Sequence, residues 1–179
     1  MSIIGISGMP GSGKSIVSEM ATENGAIIVS MGDIIREEAN KRGESTGETA
    51  ANLRKEHGEY IVSELTIKKI KKLQEDGIEN SIVVEGIRSH HEVEMFKENF
   101  DNFTIVSVFA NRILRFERLK ERKREDDCQD FDGFLIRDNR ELGFGLGNVI
   151  ALSDKILINE SDIESFKEKI SEFFKEIDF

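Results

Sequence analysis

The residues Gly8-Met9-Pro10-Gly11-Ser12-Gly13-Lys14-Ser15 satisfy the pattern G-x-x-x-x-G-K-[ST], and those residue types imply one chemistry. Glycines let the backbone curl until successive N–H groups point inward at phosphate oxygens. A helix opening near Lys14 adds its positive end, Lys14 reaches the β and γ phosphates, and Ser15 offers a hydroxyl oxygen to Mg2+. ATP or GTP with magnesium is therefore the expected ligand, held by Gly8 through Ser15. Two other stretches carry an acid with an arginine three residues later: Ser30-Met31-Gly32-Asp33-Ile34-Ile35-Arg36 and Val83-Val84-Glu85-Gly86-Ile87-Arg88. A third, over residues 112–124, spaces Arg115, Arg118 and Arg122 by threes and fours, on one face of a helix. Arg137 and Arg140 follow in Arg137-Asp138-Asn139-Arg140-Glu141.

These residues need a scaffold that brings them to one place. Short β-rich runs at 3–7, 26–30, 81–85, 104–109 and 155–159 are each followed by a segment of helical period or composition. Runs apolar on both faces and separated by ten or more residues suit a five-stranded parallel sheet with helices on both faces, an α/β fold. In such a sheet ligands bind beyond the carboxyl ends of the strands, so Asp33, Arg36, Glu85 and Arg88 would converge on the mouth that holds the phosphates, with Ser30, Gly32 and Gly86 beside them as further candidates for binding the acceptor. Residues 33–80 are too long for one crossover helix and predict two helices and a small helical insert. Ser89 with Glu92 forms a capping-box pattern opening a helix with apolar Val93, Met95 and Phe96. Ile163, Phe166, Ile170, Phe173 and Phe174 have the spacing of a terminal amphipathic helix.

Composition bounds the function. The chain has 179 residues, 25 Lys plus Arg against 35 Asp plus Glu, and a formal net charge of −10. That length predicts a single domain, 1–179, able to bury a full core without disulfides or structural metal. The acidity argues against a nucleic-acid partner, which needs a basic stripe, and leaves room for small anions at a local cluster of cations. The lone Cys128 allows no internal bridge, and no apolar run approaches the ~18 residues of a membrane span. The short, β-branched amino-terminal run does not read as a cleaved signal, and a cytoplasmic protein is expected.

The combination of loop, acid-and-arginine strand ends and arginine-rich helix resembles adenylate kinase and related nucleoside monophosphate kinases. Over essentially the whole chain it looks like an archaeal family of adenylate-kinase-related P-loop proteins, similar also to dephospho-CoA kinase. The resemblance implies the P-loop NTPase fold with a helical acceptor-binding insert at about 33–80 and a lid region at about 111–140. With only residues 125–134 between the two arginine segments and no Cys cluster, the lid should be short and without zinc. It further implies roles: Arg36 and Arg88 hold the acceptor's phosphate, and Glu85 orients magnesium-bound water. Arg115 serves the nucleotide, Arg118, Arg122 and Arg137 neutralise the transferring phosphoryl, the alternative being a solvated helix of ion pairs with Glu117 and Glu121, and Asn159 either stands near the adenine or simply ends the last strand. AMP or another monophosphate is the favoured acceptor, because Arg36 and Arg88 fit a phosphate clamp. The alternatives are transfer to a hydroxyl, as in dephospho-CoA, with Asp33 as general base, or a nucleotide-binding switch with slow ATPase activity. His90 and His91 read as surface or capping residues, and Arg54 as helical surface. Gly143, Gly145 and Gly147 read as a helix stop and loop, with a loop near the base as the other option.

Overall fold

A computed structural model of the chain describes residues 2–122 and 130–179. Its elements in chain order are β1 (Ile3–Ser7), α1 (Lys14–Glu23), β2 (Ile27–Ser30), α2 (Met31–Arg42), α3 (Thr46–His57), α4 (Ile61–Glu75) and β3 (Ile82–Glu85). They continue with α5 (His90–Asn99), β4 (Phe103–Phe109), α6 (Arg112–Arg122), α7 (Phe131–Gly143), α8 (Leu146–Ala151), β5 (Lys155–Ile158) and α9 (Ile163–Glu176). The strands pair in the order β2-β3-β1-β4-β5, all parallel. This is a five-stranded parallel sheet flanked by helices, the α/β fold that the alternation of runs implied, in the P-loop NTPase arrangement that the resemblance implied.

The strand period of two explains why the sheet needs cover on both sides. On β1, Ile3 belongs to a core with Val84, Ile105, Ile70 of α4, Val93 and Phe96 of α5, and Val149 of α8. Its neighbours Ile4 and Ile6 belong to a second core with Val83, Val106, Val17 of α1, and Phe166, Ile170 and Phe173 of α9. Each fully buried side chain of this kind contributes about 1.5–3 kcal/mol of transfer free energy, which holds α1 and α9 to one face and α4, α5 and α8 to the other. Central β1 therefore delivers the following loop to the middle of the carboxyl edge. Register sets its neighbours level: Ile6 pairs with Glu85, Glu85 with Ser30, and Ser7 with Ser107.

Strand limits differ from the sequence reading by about one residue at several ends. Residues 26, 81 and 159 lie outside β2, β3 and β5, and β4 begins at Phe103. Residues 33–80 hold three helices, not two and a minor insert, because α2 starts directly after β2: the Ser30 hydroxyl caps it by accepting from the Asp33 N–H at 3.3 Å. The box at Ser89 is formed, with Glu92 returning to the Ser89 N–H at 3.0 Å. Glycines 143 and 145 mark a stop and restart, ending α7 and capping α8. The short-lid expectation falls largely on residues 123–129, outside the described residues.

Candidate functional site

At the carboxyl edge a cavity of about 470 Å³ opens, a volume suited to a small-molecule ligand. Its floor is the loop after β1. Gly8 has φ 142°, and a side chain there would strike the Val108 carbonyl of β4; Gly13, at φ 102°, lies against the Asn159 amide. Both positions demand glycine for conformation and for space. α1 then begins at Lys14 with no capping side chain and no acid in its first turn, whereas Ser30, Ser45, Ser89, Asp130 and Asp162 cap α2, α3, α5, α7 and α9. The first-turn amides and the positive end of α1 are thus left to an anionic ligand. Lys14 Nζ donates to the Gly8 carbonyl at 2.7 Å and the Met9 carbonyl at 3.1 Å. Burial lowers its pKa to about 8, opposed by the charges of Glu141 and Glu85.

The walls carry more cations. Arg88, Arg118, Arg122 and Arg137 line the cavity with Lys14, and only Glu85 and Glu141 oppose them among the described residues. A chain of net charge −10 has concentrated positive charge here. Arg118 Nη2 donates to the Asn159 carbonyl at 3.1 Å, while its buried Nη1 has no hydrogen-bond partner among the described residues. Burial lowers the guanidinium pKa, against the opposing charge of Glu160. A buried donor without a partner is costly until an acceptor arrives, and a phosphate oxygen supplies one. Glu85, at the end of β3, accepts the Ser18 hydroxyl, and Ser15 lines the same cavity. Among the described residues no three His, Cys, Asp or Glu side chains gather as a metal cage. One serine hydroxyl and one carboxylate beside an open helix start fit Mg2+, which keeps waters and takes its remaining ligands from phosphates.

Not every residue singled out from the sequence reaches the cavity. Gly8, Pro10, Gly11, Gly13, Lys14, Ser15, Ser30, Gly32, Glu85, Gly86, Arg88, Arg118, Arg122 and Arg137 line it. Met9 instead packs against the apolar core, and Ser12 is buried in the loop's interior. Asp33 and Arg36 do not line it but form an exposed pair on α2, one turn apart, with Arg36 Nε 2.8 Å from the Asp33 carboxylate and the Arg36 guanidinium beside cavity-lining Gly32. Arg115 points beneath the loop: it is bidentate to buried Asp138 of α7 at 2.8 and 2.6 Å and donates to the Pro10 carbonyl at 3.1 Å. The resemblance implied a place at the nucleotide; here its guanidinium braces the loop against α7. Asn159 is likewise a brace, buried and donating to the Ser12 carbonyl at 2.8 Å. His90 and His91 open α5, His90 3.5 Å from Glu94 and His91 against the Tyr60 ring, and Arg54 bonds its own helix at Ala50.

Two acids escaped the sequence reading. Asp138 and Glu141 are both buried on α7 together with Phe134. The signal was present in their spacing: i, i+4 and i+7 from Phe134 put two carboxylates on the helix's apolar stripe, where an acid must meet a cation.

A family model described as an AAA domain matches residues 7–132. A UPF0200 protein of Methanothermobacter thermautotrophicus is 45% identical over 177 residues, covering 99% of this chain and 91% of the relative. Another, from Sulfurisphaera tokodaii, is 42% identical over 178 residues, covering 98% and 97%. Among solved structures, shikimate kinase from Bacteroides thetaiotaomicron superposes with TM-score 0.64 at 14% identity, covering 99% of both chains. Shikimate kinase from Aquifex aeolicus does so with TM-score 0.56 at 18% identity, covering 98% and 96%. At these identities the structural likenesses carry the fold alone, and they do not single out adenylate kinase.

Proposed function

Because the chain belongs to the AAA-domain family and to the UPF0200 proteins, we propose that it is a phosphotransferase, moving the γ-phosphoryl of Mg·ATP to a small acceptor, a monophosphate such as AMP. One observation carries the reading: an uncapped helix start, Lys14 and Arg88, Arg118, Arg122 and Arg137 converge on one cavity at the carboxyl edge of the sheet. Phosphoryl transfer asks for positioning and positive charge rather than covalent chemistry, and these side chains supply both. Lys14 leaves the Gly8 and Met9 carbonyls to hold the donor's phosphates together with the loop amides. Arg88 takes the acceptor's anionic group, and Arg118, Arg122 and Arg137 stabilise charge on the phosphoryl in flight. Ser15, and Glu85 through water, would hold Mg2+, which would supply charge neutralisation at the phosphates. A monophosphate arrives ionised and needs no base. Asp33 is exposed and paired with Arg36, whereas Arg88 lines the cavity, which supports the monophosphate reading over transfer to a hydroxyl with Asp33 as base.

The test is product formation by the purified protein with Mg·ATP across monophosphates, nucleosides and dephospho-CoA. Transfer to a monophosphate at roughly one per second or faster is expected, since kinases turn over at roughly 1–100 per second, and Lys14→Ala should lower it by about 10²–10³. ATP hydrolysis unaltered by every acceptor would contradict the proposal and favour a nucleotide-dependent switch.

A further inference from the structure

A cavity built for anions contains a buried carboxylate that should repel them. Of its two acids, Glu85 is engaged by the Ser18 hydroxyl beside α1. Glu141 comes from α7, with its side chain only 9% exposed, and its charge acts on Lys14. Glu141 Oε2 lies 3.4 Å from Arg88 Nε, and Oε1 lies 3.5 Å from Arg140 Nη2. Arg88 is itself steadied: its backbone N–H donates to Glu92 at 2.8 Å, and its guanidinium lies over the Phe144 ring, 5.6 Å from the centroid. The arginine assigned to the acceptor is therefore presented to the cavity already facing a carboxylate.

We infer that Glu141 is a built-in stand-in for the acceptor's anionic group, occupying Arg88 until an acceptor displaces it, whereupon Arg140 retains it. The inference rests on the phosphotransfer reading of the cavity and adds a specificity rule to it. A carboxylate-bearing acceptor would only exchange one monoanion for another that is already tethered in place. A phosphate monoester brings charge of about −1.5 to −2 and three acceptor oxygens, so it engages Arg88 and the neighbouring cations together and outcompetes Glu141. The device selects phosphate-bearing acceptors over carboxylates and keeps Arg88 neutralised while the site waits.

Inorganic phosphate and acetate serve as probes, titrated calorimetrically into the full chain with and without the β,γ-imido analogue of Mg·ATP. The unaltered protein should take phosphate and not acetate. Glu141→Gln should bind phosphate about fivefold tighter, as loss of one partly exposed ion-pair competitor implies, and should acquire acetate binding. Arg140→Ala should weaken phosphate binding in the unaltered chain and have no effect in the Glu141→Gln background, because it acts through Glu141. Phosphate affinity unchanged or weakened in a folded Glu141→Gln protein, or an Arg140→Ala effect equal in both backgrounds, would overturn the inference. If Glu141→Gln does not fold, the exposed Arg140→Ala change decides alone: unchanged phosphate affinity sinks the proposal. Failure of the analogue to bind the unaltered protein contradicts the phosphotransfer reading instead, and Glu141 is then read by whether Glu141→Gln acquires acetate binding and whether the Arg140→Ala effect vanishes in that background.

Discussion

Lys14 concentrates the chemistry of the site in one side chain. Burial holds its pKa near 8, and the Gly8 and Met9 carbonyls receive its protons. A triphosphate at the loop favours the ammonium form and raises that pKa. Below about pH 8 the lysine is charged before and after binding, so no proton moves. Above it the lysine is largely neutral in the empty protein and charged in the complex, so binding takes up a proton and affinity falls as pH rises. Calorimetry of ATP binding in buffers of different ionisation enthalpy should register uptake approaching one proton at pH 9 and almost none at pH 7; equal uptake at both would contradict the pKa assignment. Residue identity made this legible from the sequence, since the loop's glycines, lysine and serine sit at a spacing that has one main use. Glu141 was illegible for the opposite reason. Its meaning depends on Arg88, which is 53 positions away in the chain and joined to it only by the fold.

At the scale of elements, α6 and α7 act as a unit. Arg115, Arg118 and Arg122 do share a side of α6, as their spacing implied, but a helix advances 1.5 Å per residue, so Arg122 stands about 10 Å beyond Arg115. Position along the axis separates them: Arg115 sits under the phosphate loop, while Arg118 and Arg122 reach the cavity. A periodicity argument sees the angle and misses the height. The buried Arg115–Asp138 pair, with side chains 6% and 2% exposed, locks α6 to α7 and ties both to Pro10. Asp138→Ala would strand a buried guanidinium, and removing one partner of such a pair costs about 3–5 kcal/mol. Urea denaturation should reveal that loss, with reduced nucleotide affinity in the surviving folded protein as Arg137 and Glu141 shift. Stability unchanged within about 0.5 kcal/mol, the usual bound for inert surface substitutions, would mean that the two helices are held by their apolar contacts alone.

Across the whole molecule, the sheet order places the loop after β1 between the carboxyl ends of β3 and β4, and three crossovers deliver the cavity cations to that edge: Lys14 after β1, Arg88 after β3, and Arg118, Arg122 and Arg137 after β4. The architecture was legible because alternating β-rich and helical stretches leave few arrangements of a parallel sheet. The helical count after β2 was less so, because the Ser30 cap that starts α2 at once competes with any longer strand or loop. No helix among the described residues is long and apolar enough to cross a membrane; the cations gathered in the cavity of a chain of net charge −10 support the proposed small anionic ligand. Equilibrium titration of Mg·ATP into the full chain and into Lys14→Ala tests this most directly. Saturable, magnesium-dependent binding at one site, lost or weakened at least about 100-fold (2.7 kcal/mol) by the substitution, is the expected result. Absence of magnesium-dependent binding in the unaltered protein, or equal affinity in both, would contradict a phosphate-gripping role for the loop.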